Sequence, residues 1–418
     1  MSGKTIIEKI LSEHSGEDAW AGDRVWADLD LAVVRDFGGP NVVLEYEKQM
    51  DDEPVWDPQK IAMTFDYQAP AKVVQVANNQ RICREFAAKH GIPHIFDVNS
   101  GVGQHVLLEQ GMILPGSVVI GTDSHMNLLG AVGSFSSGMG TTDVAAAWAT
   151  GRLWFRVPES IKITFKGSYD YPASAKDLTL FLLSKIDTTK TIYKALEFYG
   201  EPIDALSLAG RLTLASMVTE MEGKIGFIIP DEDILAWIGE RAGRKVDAVL
   251  PDRDASYWEE REFDIDGLEP LIACPDRPDN VRPVREVAGT HVDQVFVGSC
   301  TNGRFEDLRV AAEVLKRMGG KIAPHVRMIV TPATTEVAME AVEAGLYETF
   351  IKAGAMVTNQ GCSLCTIGHH GVLAEGDVLV GTGNRNFRGK LGKGSEVYLA
   401  SPAVAAATAV KGEIALPE

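Results

Sequence analysis

Two periods run through the 418 residues of the chain. Short apolar runs have the length and β-branched content of strands: "GSVVIG" (116–121), "SIKITFKG" (160–167), "VDQVFVGS" (292–299), "HVRMIVTPA" (325–333), "AMVTN" (355–359) and "DVLVGTG" (377–383). Between them, apolar residues recur at helical spacing. "AKVVQVANNQRICREFAAKH" (71–90) ends at Gly91, a good helix stop, and "TTDVAAAWATGRLW" (141–154) begins where Thr141 or Thr142 can cap. "AKDLTLFLLSKI" (175–186), "FEDLRVAAEVLKRM" (305–318), "TEVAMEAVEAGLYETFIKAG" (335–354) and "AVAAATAVKG" (403–412) carry the same period. "HIFDV" (94–98) is a short strand, "NSGVGQH" (99–105) a loop, and "TDSHMNLLGAVGSFSSGMG" (122–140) a glycine-rich loop. Alternation of this kind predicts an α/β protein, with sheets flanked by helices. The proline-rich stretch 271–287 is expected to be a linker, and 156–160 is a weaker candidate.

Composition narrows the class. A chain this long exceeds one core and suggests two to four domains. The formal charge of −18 argues against a nucleic-acid partner, since phosphate binding rests on clustered Lys and Arg. It also means that an anionic substrate needs a locally basic pocket. No stretch reaches the roughly 18 uninterrupted apolar residues of a membrane span, and residues 1–20 lack a signal-peptide core. Five widely spread cysteines do not form a disulfide framework, so the expected location is the reducing cytoplasm.

The candidate chemistry sits at strand ends. Cys300 in "VFVGSCTNGR", the pair Cys362 and Cys365 in "GCSLC", and "GTGNRNFRGK" each follow a strand-like run, where α/β sheets gather ligands. Three cysteines suit a cubane iron–sulfur cluster that leaves one iron open as a Lewis acid. On spacing alone, a zinc site completed by His369 or His370, a redox pair and inert thiols all stay open. Cys83, in a helix, and Cys274, in the linker, read as structural.

Taken together and in order, "GTDSH", "GSCTNGR", "GCSLC" and "NRNF" resemble the aconitase superfamily, in particular the 3-isopropylmalate dehydratase and homoaconitase large subunits. The likeness runs from "GDRVWADLDLAVVRD" to "SPAVAAATAVKGEI", nearly the whole chain. It implies three α/β/α domains, here placed at 1–157, 158–280 and 281–418, around a [4Fe-4S] cluster held by Cys300, Cys362 and Cys365. It also implies that a fourth, swivelling domain is absent and supplied by a separate small subunit, with the active site in the cleft between them. The implied activity is a hydro-lyase or isomerase acting on a hydroxy di- or tricarboxylic acid.

Carried over by position, Asp123, Ser124 and His125 lie beneath the substrate and handle the hydroxyl proton. Glu220 lies near the open iron, Arg385 grips a substrate carboxylate, and Asn384 approaches the cluster sulfurs. Asn302 faces the cluster or shapes a turn. The chain departs from the family at several of these places. Asp66-Tyr67 stands where Asp-His is usual, Gln104-His105 where His-Gln is usual, Lys390 where an arginine closes the last motif, and Ser216 where an asparagine precedes the glutamate. These departures surround the substrate and spare the cysteines. They point to retained dehydratase chemistry with an altered substrate or proton relay: a dimethylmalate, homocitrate/homoaconitate or maleate-type acid beside isopropylmalate. A non-catalytic relative and an RNA-binding sensor are the remaining alternatives, the latter disfavoured by the acidic charge.

Overall fold

The computed structural model describes residues 3–50, 53–367 and 369–418. Three parallel or mixed sheets follow one another along the chain. The first has five strands, in spatial order His94–Phe96, Ile61–Thr64, Leu31–Arg35, Val118–Gly121 and Phe135–Gly138, all parallel. The second has four parallel strands, Ile225–Ile228, Ala195–Tyr199, Ser160–Lys166 and Glu259–Asp264. The third has seven, running Val281–Pro283, Leu271–Ala273, Glu396–Ala400, Val378–Gly381, Gln294–Val297, Arg327–Val330 and Met356–Val357. Its pairings are antiparallel at the first two steps and parallel thereafter. Parallel strands buried on both faces read as unbroken apolar runs, which is why Leu31–Arg35 is buried throughout.

Helices cover the sheets through apolar stripes. Gly39–Met50, Val74–His90 and Thr141–Thr150 meet at Tyr46, Phe86 and Trp148, with the Phe86 and Trp148 rings stacked at 5.1 Å. Such an aromatic pair adds about 0.5–1.5 kcal/mol beyond the area it buries. Cys83 is buried in this core, and burial pushes its thiol up to about 12, as befits a structural cysteine. Phe305–Arg317 packs on the third sheet by Leu308, Ala311, Ala312, Val314 and Leu315. Among the described residues, no helix is long and apolar enough to cross a membrane.

Several expectations are corrected. The stretch 271–287 is not a linker: Leu271–Ala273 and Val281–Pro283 pair as a hairpin at the edge of the third sheet, and Cys274 belongs to its core. Prolines are tolerated there because an edge strand need not donate on both sides. The "glycine-rich loop" 122–140 contains a 3-10 turn, Met126–Val132, and an edge strand, Phe135–Gly138, whose small residues hide the strand pattern. The helix from Thr141 stops at Gly151, and Gly140 occupies its N-cap position in place of either threonine. Residues Arg152–Arg156 then pair antiparallel with Arg24–Asp28, setting Trp26 opposite Trp154. Gly345, at φ 70°, divides 335–354 into Thr335–Glu343 and Leu346–Ala353. Part of the 99–105 loop is already helix, Gly103–Glu109.

Candidate active site

The carboxyl ends of strands in the first and third sheets converge. Leu31–Arg35 ends on Arg35, Ile61–Thr64 leads to Asp66 and Tyr67, and Val118–Gly121 leads to Asp123, Ser124 and His125. From the third sheet, Gln294–Val297 delivers Cys300, Met356–Val357 delivers Cys362 and Cys365, and Val378–Gly381 delivers Asn384 and Arg385. The two groups are stitched together: Cys362 N donates to the Asp66 carbonyl at 3.0 Å, and Arg35 Nη2 lies 2.9 Å from Cys362 Sγ. Gly361 makes this approach possible, because at φ 143° a Cβ there would stand 3.0 Å from the Asp66 carbonyl oxygen.

The turns bearing the thiols are strained. Ser299, next to Cys300, has φ 78°, and Ser363, next to Cys362, has φ 48°, both fully buried. A non-glycine residue held there costs about 1–3 kcal/mol and persists only where its surroundings enforce it. Cys300 and Cys362 are buried, and Cys365 half-buried. Burial raises the first two thiols, while each feels the charge of Cys365. Around Cys300 Sγ stand Asn384 Oδ1 at 3.6 Å, Ser216 Oγ at 3.7 Å and Ser299 Oγ at 3.8 Å. Asn384 Nδ2 in turn donates to Ser216 Oγ at 2.9 Å, so Ser216 and Asn384 act as one unit. Among the described residues, no three His, Cys, Asp or Glu side chains group as ligands of a single ion. His369 is tied elsewhere, with Nε2 3.1 Å from the Ala69 carbonyl and its pKa pushed down to about 4 by burial.

A chain of alternating charge crosses the floor of the site. Arg35 donates to Asp66 Oδ1 through Nε at 3.0 Å and Nη2 at 2.7 Å, and through Nη1 to Asp123. Asp123 Oδ1 accepts His125 N at 2.7 Å and lies 3.7 Å from His125 Nδ1. His125 Nε2 reaches Glu220 Oε1 at 3.1 Å, and Arg385 Nε donates to that same oxygen at 2.8 Å. Glu220 Oε2 is buried and has no hydrogen-bond partner among the described residues.

The electrostatics follow from this order. Burial works against the imidazolium of His125, but the Glu220 carboxylate and Cys300 hold its pKa well above the usual value. One guanidinium cannot fully compensate two buried carboxylates. Asp123, which also has His125, stays well below the ordinary range despite burial. Asp66 is pushed up to about 6, first by burial and then by Asp36 and Asp123, against the pull of Arg35. Asp66 therefore holds a proton more readily than Asp123.

The remaining sequence candidates fall on two sides of this floor. Tyr67 lies inside: its ring is 4.7 Å beneath the Arg35 guanidinium, and burial, then Cys365 against a hydrogen bond from Thr366, raises its phenol. Ser124 is exposed at the rim, its Oγ 3.3 Å from His125 Nδ1. His105 lies behind the cysteines, fully buried, with Nε2 2.8 Å from the Cys300 carbonyl. Burial, followed by the Arg304 charge, pushes its pKa down to about 3, so it is a neutral ring that positions backbone. Gln104 is buried beside it, its Nε2 without a partner among the described residues. Asn302 binds Asp307 at 2.9 Å and Thr213 at 3.2 Å, a turn-shaping role. Lys390 stands over the exposed Phe387 ring at 5.2 Å, outside the charged chain.

Two residues of the site escape the sequence reading. Arg35 is a charge at the end of a wholly buried strand, and that placement was the available signal. Lys176 is fully buried, donating through Nζ to the carbonyls of Thr382 at 3.1 Å and Gly383 at 2.7 Å, just ahead of Asn384. Burial brings its pKa down to about 8, against Glu220 and Cys300. It sits inside the capping box of Ser174 and Asp177, where a lysine reads as solvated.

Buried thiols on strained turns, beside a carboxylate–imidazole–carboxylate chain at parallel strand ends, define an α/β lyase-type centre. The Aconitase family (aconitate hydratase) matches residues 8–291 and 283–412, and the chain belongs to that family. The 3-isopropylmalate dehydratase large subunit 1 of Methanopyrus kandleri is 48% identical over 416 residues, 99% of both chains. The 3-isopropylmalate dehydratase large subunit of a Sulfurihydrogenibium species is 46% identical, covering 100% of this chain and 96% of its own. A probable methanogen homoaconitase large subunit of Methanosarcina mazei is 46% identical over 94% of this chain and 99% of its own. The crystal structure of Thermococcus kodakaraensis aconitase X (holo-form) shares the fold, with a TM-score of 0.53 at 11% identity over 91% of this chain and 89% of that one.

Proposed function

We propose that this chain is the large subunit of a hydro-lyase of the 3-isopropylmalate dehydratase type, working with a small subunit that carries the swivelling domain. The units 1–157, 158–280 and 281–418 form its three α/β/α domains, with the 271–273 strand joining the sheet of the third, and the cytoplasm is its compartment. Cys300, Cys362 and Cys365 are the residues that would hold a [4Fe-4S] cluster. The donor set fits. Cys362 feels the charges of both Cys300 and Cys365, and Cys300 that of Cys365, while Ser216 and Asn384 stand beside the Cys300 sulfur and Arg35 beside that of Cys362. A cluster with three protein thiolates supplies a Lewis-acidic iron for loss of hydroxide.

The observation that carries the reading is the Asp123–His125–Glu220–Arg385 chain beside those thiols. The guanidinium of Arg385, about one-third exposed, binds a substrate carboxylate with the face that Glu220 leaves free. His125 holds a proton at its ring nitrogens for the departing hydroxyl, and Glu220 keeps that ring charged. Asp66 and Tyr67, beneath Arg35, are a second proton store where the family has a histidine. A homoaconitase-type substrate is the second reading, favoured by the Methanosarcina mazei relative.

Anaerobic reconstitution with iron and sulfide tests this. Four irons per chain are expected, with loss on Cys300→Ser, Cys362→Ser or Cys365→Ser, and dehydration of 3-isopropylmalate once the small subunit is added. Bound zinc, or iron uptake indifferent to all three substitutions, would overturn it.

A further inference from the structure

A cavity of about 380 Å³ lies beside the charged chain, lined among others by Asp123, Ser124, Asn127, Ser137, Thr219 and Lys224. It has donors without acceptors. Lys224 precedes the strand Ile225–Ile228 and is half-buried; burial brings its pKa down to about 8, against the pull of Asp143. Among the described residues its ammonium has no hydrogen bond or ion pair, only the Tyr193 ring at 5.2 Å. Asn127 is 3% exposed, and its Oδ1 accepts the Thr219 hydroxyl at 3.0 Å, while Nδ2 is buried with no partner among the described residues. The Ser137 hydroxyl has only a long contact, 3.3 Å, to the Gly138 carbonyl. The carboxylate in the wall, Asp123, is already engaged by Arg35 and His125.

An unpartnered buried amide donor, a weakly engaged hydroxyl and a half-buried ammonium without an ion pair among the described residues describe a place shaped for an anion, since a donor left unmet costs free energy that an acceptor returns. The cavity also adjoins the reaction site. Thr219 borders both this space and the cleft lined by Glu220 and Arg385. A di-acid has a second carboxylate, and Arg385 already shares its charge with Glu220.

We propose that this cavity is the subsite for the second carboxylate of a di-acid substrate, with Lys224 as its counter-charge and Asn127 as a hydrogen-bond donor. The inference rests on the hydro-lyase reading and adds the residues that select two carboxylates over one.

The test compares Lys224→Met and Lys224→Arg in the cluster-loaded complex with the small subunit. The methionine variant should raise KM for the di-acid about tenfold with kcat within about twofold, and arginine should restore most of it. Inhibition by succinate should weaken about tenfold while inhibition by butyrate, with one carboxylate, stays put. An unchanged KM, or equal weakening of both inhibitors, overturns the subsite. Should the wild-type complex dehydrate no di-acid, the hydro-lyase reading fails by itself. Calorimetry of succinate on the full chain then decides the subsite separately: weakened binding in Lys224→Met supports it, and unaltered or absent binding overturns it.

Discussion

His125 and Arg385 meet at a single oxygen: Glu220 Oε1 lies 3.1 Å from His125 Nε2 and 2.8 Å from Arg385 Nε, while Oε2 has no partner among the described residues. Glu220 is thus the hinge between a proton-holding ring and a carboxylate-gripping fork. Replacing it with glutamine keeps the shape and removes the charge that favours imidazolium.

Glu220→Gln should lower kcat about 100-fold, within the usual span for losing positioned acid–base catalysis. It should also change the pH dependence of stability. The folded pKa of His125 lies above its ordinary 6.5. Its contribution is therefore complete below about 6.5 and is lost as pH rises through the raised value. In the glutamine variant that loss should move to lower pH. Urea denaturation from pH 6 to 9 reads it; coincident wild-type and variant profiles would count against the pairing.

Arg35 is shared by Asp66 and Asp123, and all three are buried. Arg35→Met leaves Asp66 without a countercharge and Asp123 with His125 alone, and should cost about 3–5 kcal/mol in denaturant unfolding. Adding Asp66→Asn removes the first of these carboxylates, so the double variant should be more stable than the sum of the two single losses implies. Strict additivity would show that the guanidinium does not couple to Asp66.

How much of this was legible in advance depends on period and on distance along the chain. The strands that carry Cys300, Asn384 and Arg385 declare themselves as apolar runs, and the three cysteines and "GTDSH" follow them directly. Phe135–Gly138 does not, because Ser136, Ser137 and Gly138 lack the β-branched signature and the strand is recognised only by its pairing with Val118–Gly121. Arg35 and Lys176 are hidden in the sequence for a different reason. A single charge in an apolar segment looks like a solvated exception until partners 31 and 206 residues away, Asp66 and Thr382, are seen beside it. His105 shows the converse: the residue type suggests proton transfer, and burial against the Cys300 carbonyl makes it a neutral prop.

For His105 the expectation is an activity profile of unchanged shape beside a stability defect that depends on pH. With a pKa near 3 the ring is neutral throughout the working range. His105→Leu removes the partner of the Cys300 carbonyl and should cost about 1–3 kcal/mol of stability. Because the unfolded imidazole takes up a proton that the folded ring refuses, the wild-type advantage should be level above about pH 7 and shrink as pH falls from 6.5 to 5, while the shape of the kcat profile should be retained. A displaced limb in that profile would place His105 among the proton-transferring groups.

Lys176 allows the sharpest separation of charge from packing. Its folded pKa, brought down to about 8 by burial, lies below the ordinary 10.5. Between those values the unfolded chain holds more protons than the folded one, so this residue makes stability rise with pH. Lys176→Met should abolish that rise while loosening the Thr382 and Gly383 carbonyls that precede Asn384 and Arg385. The measured quantity is the wild-type minus variant difference in unfolding free energy from pH 7 to 10, which should climb with pH. Substrate affinity should fall as well, because Arg385 is held through that loop. A difference that stays level across this range would mean that the ammonium is solvated in the folded protein and that the loop is fixed by other contacts.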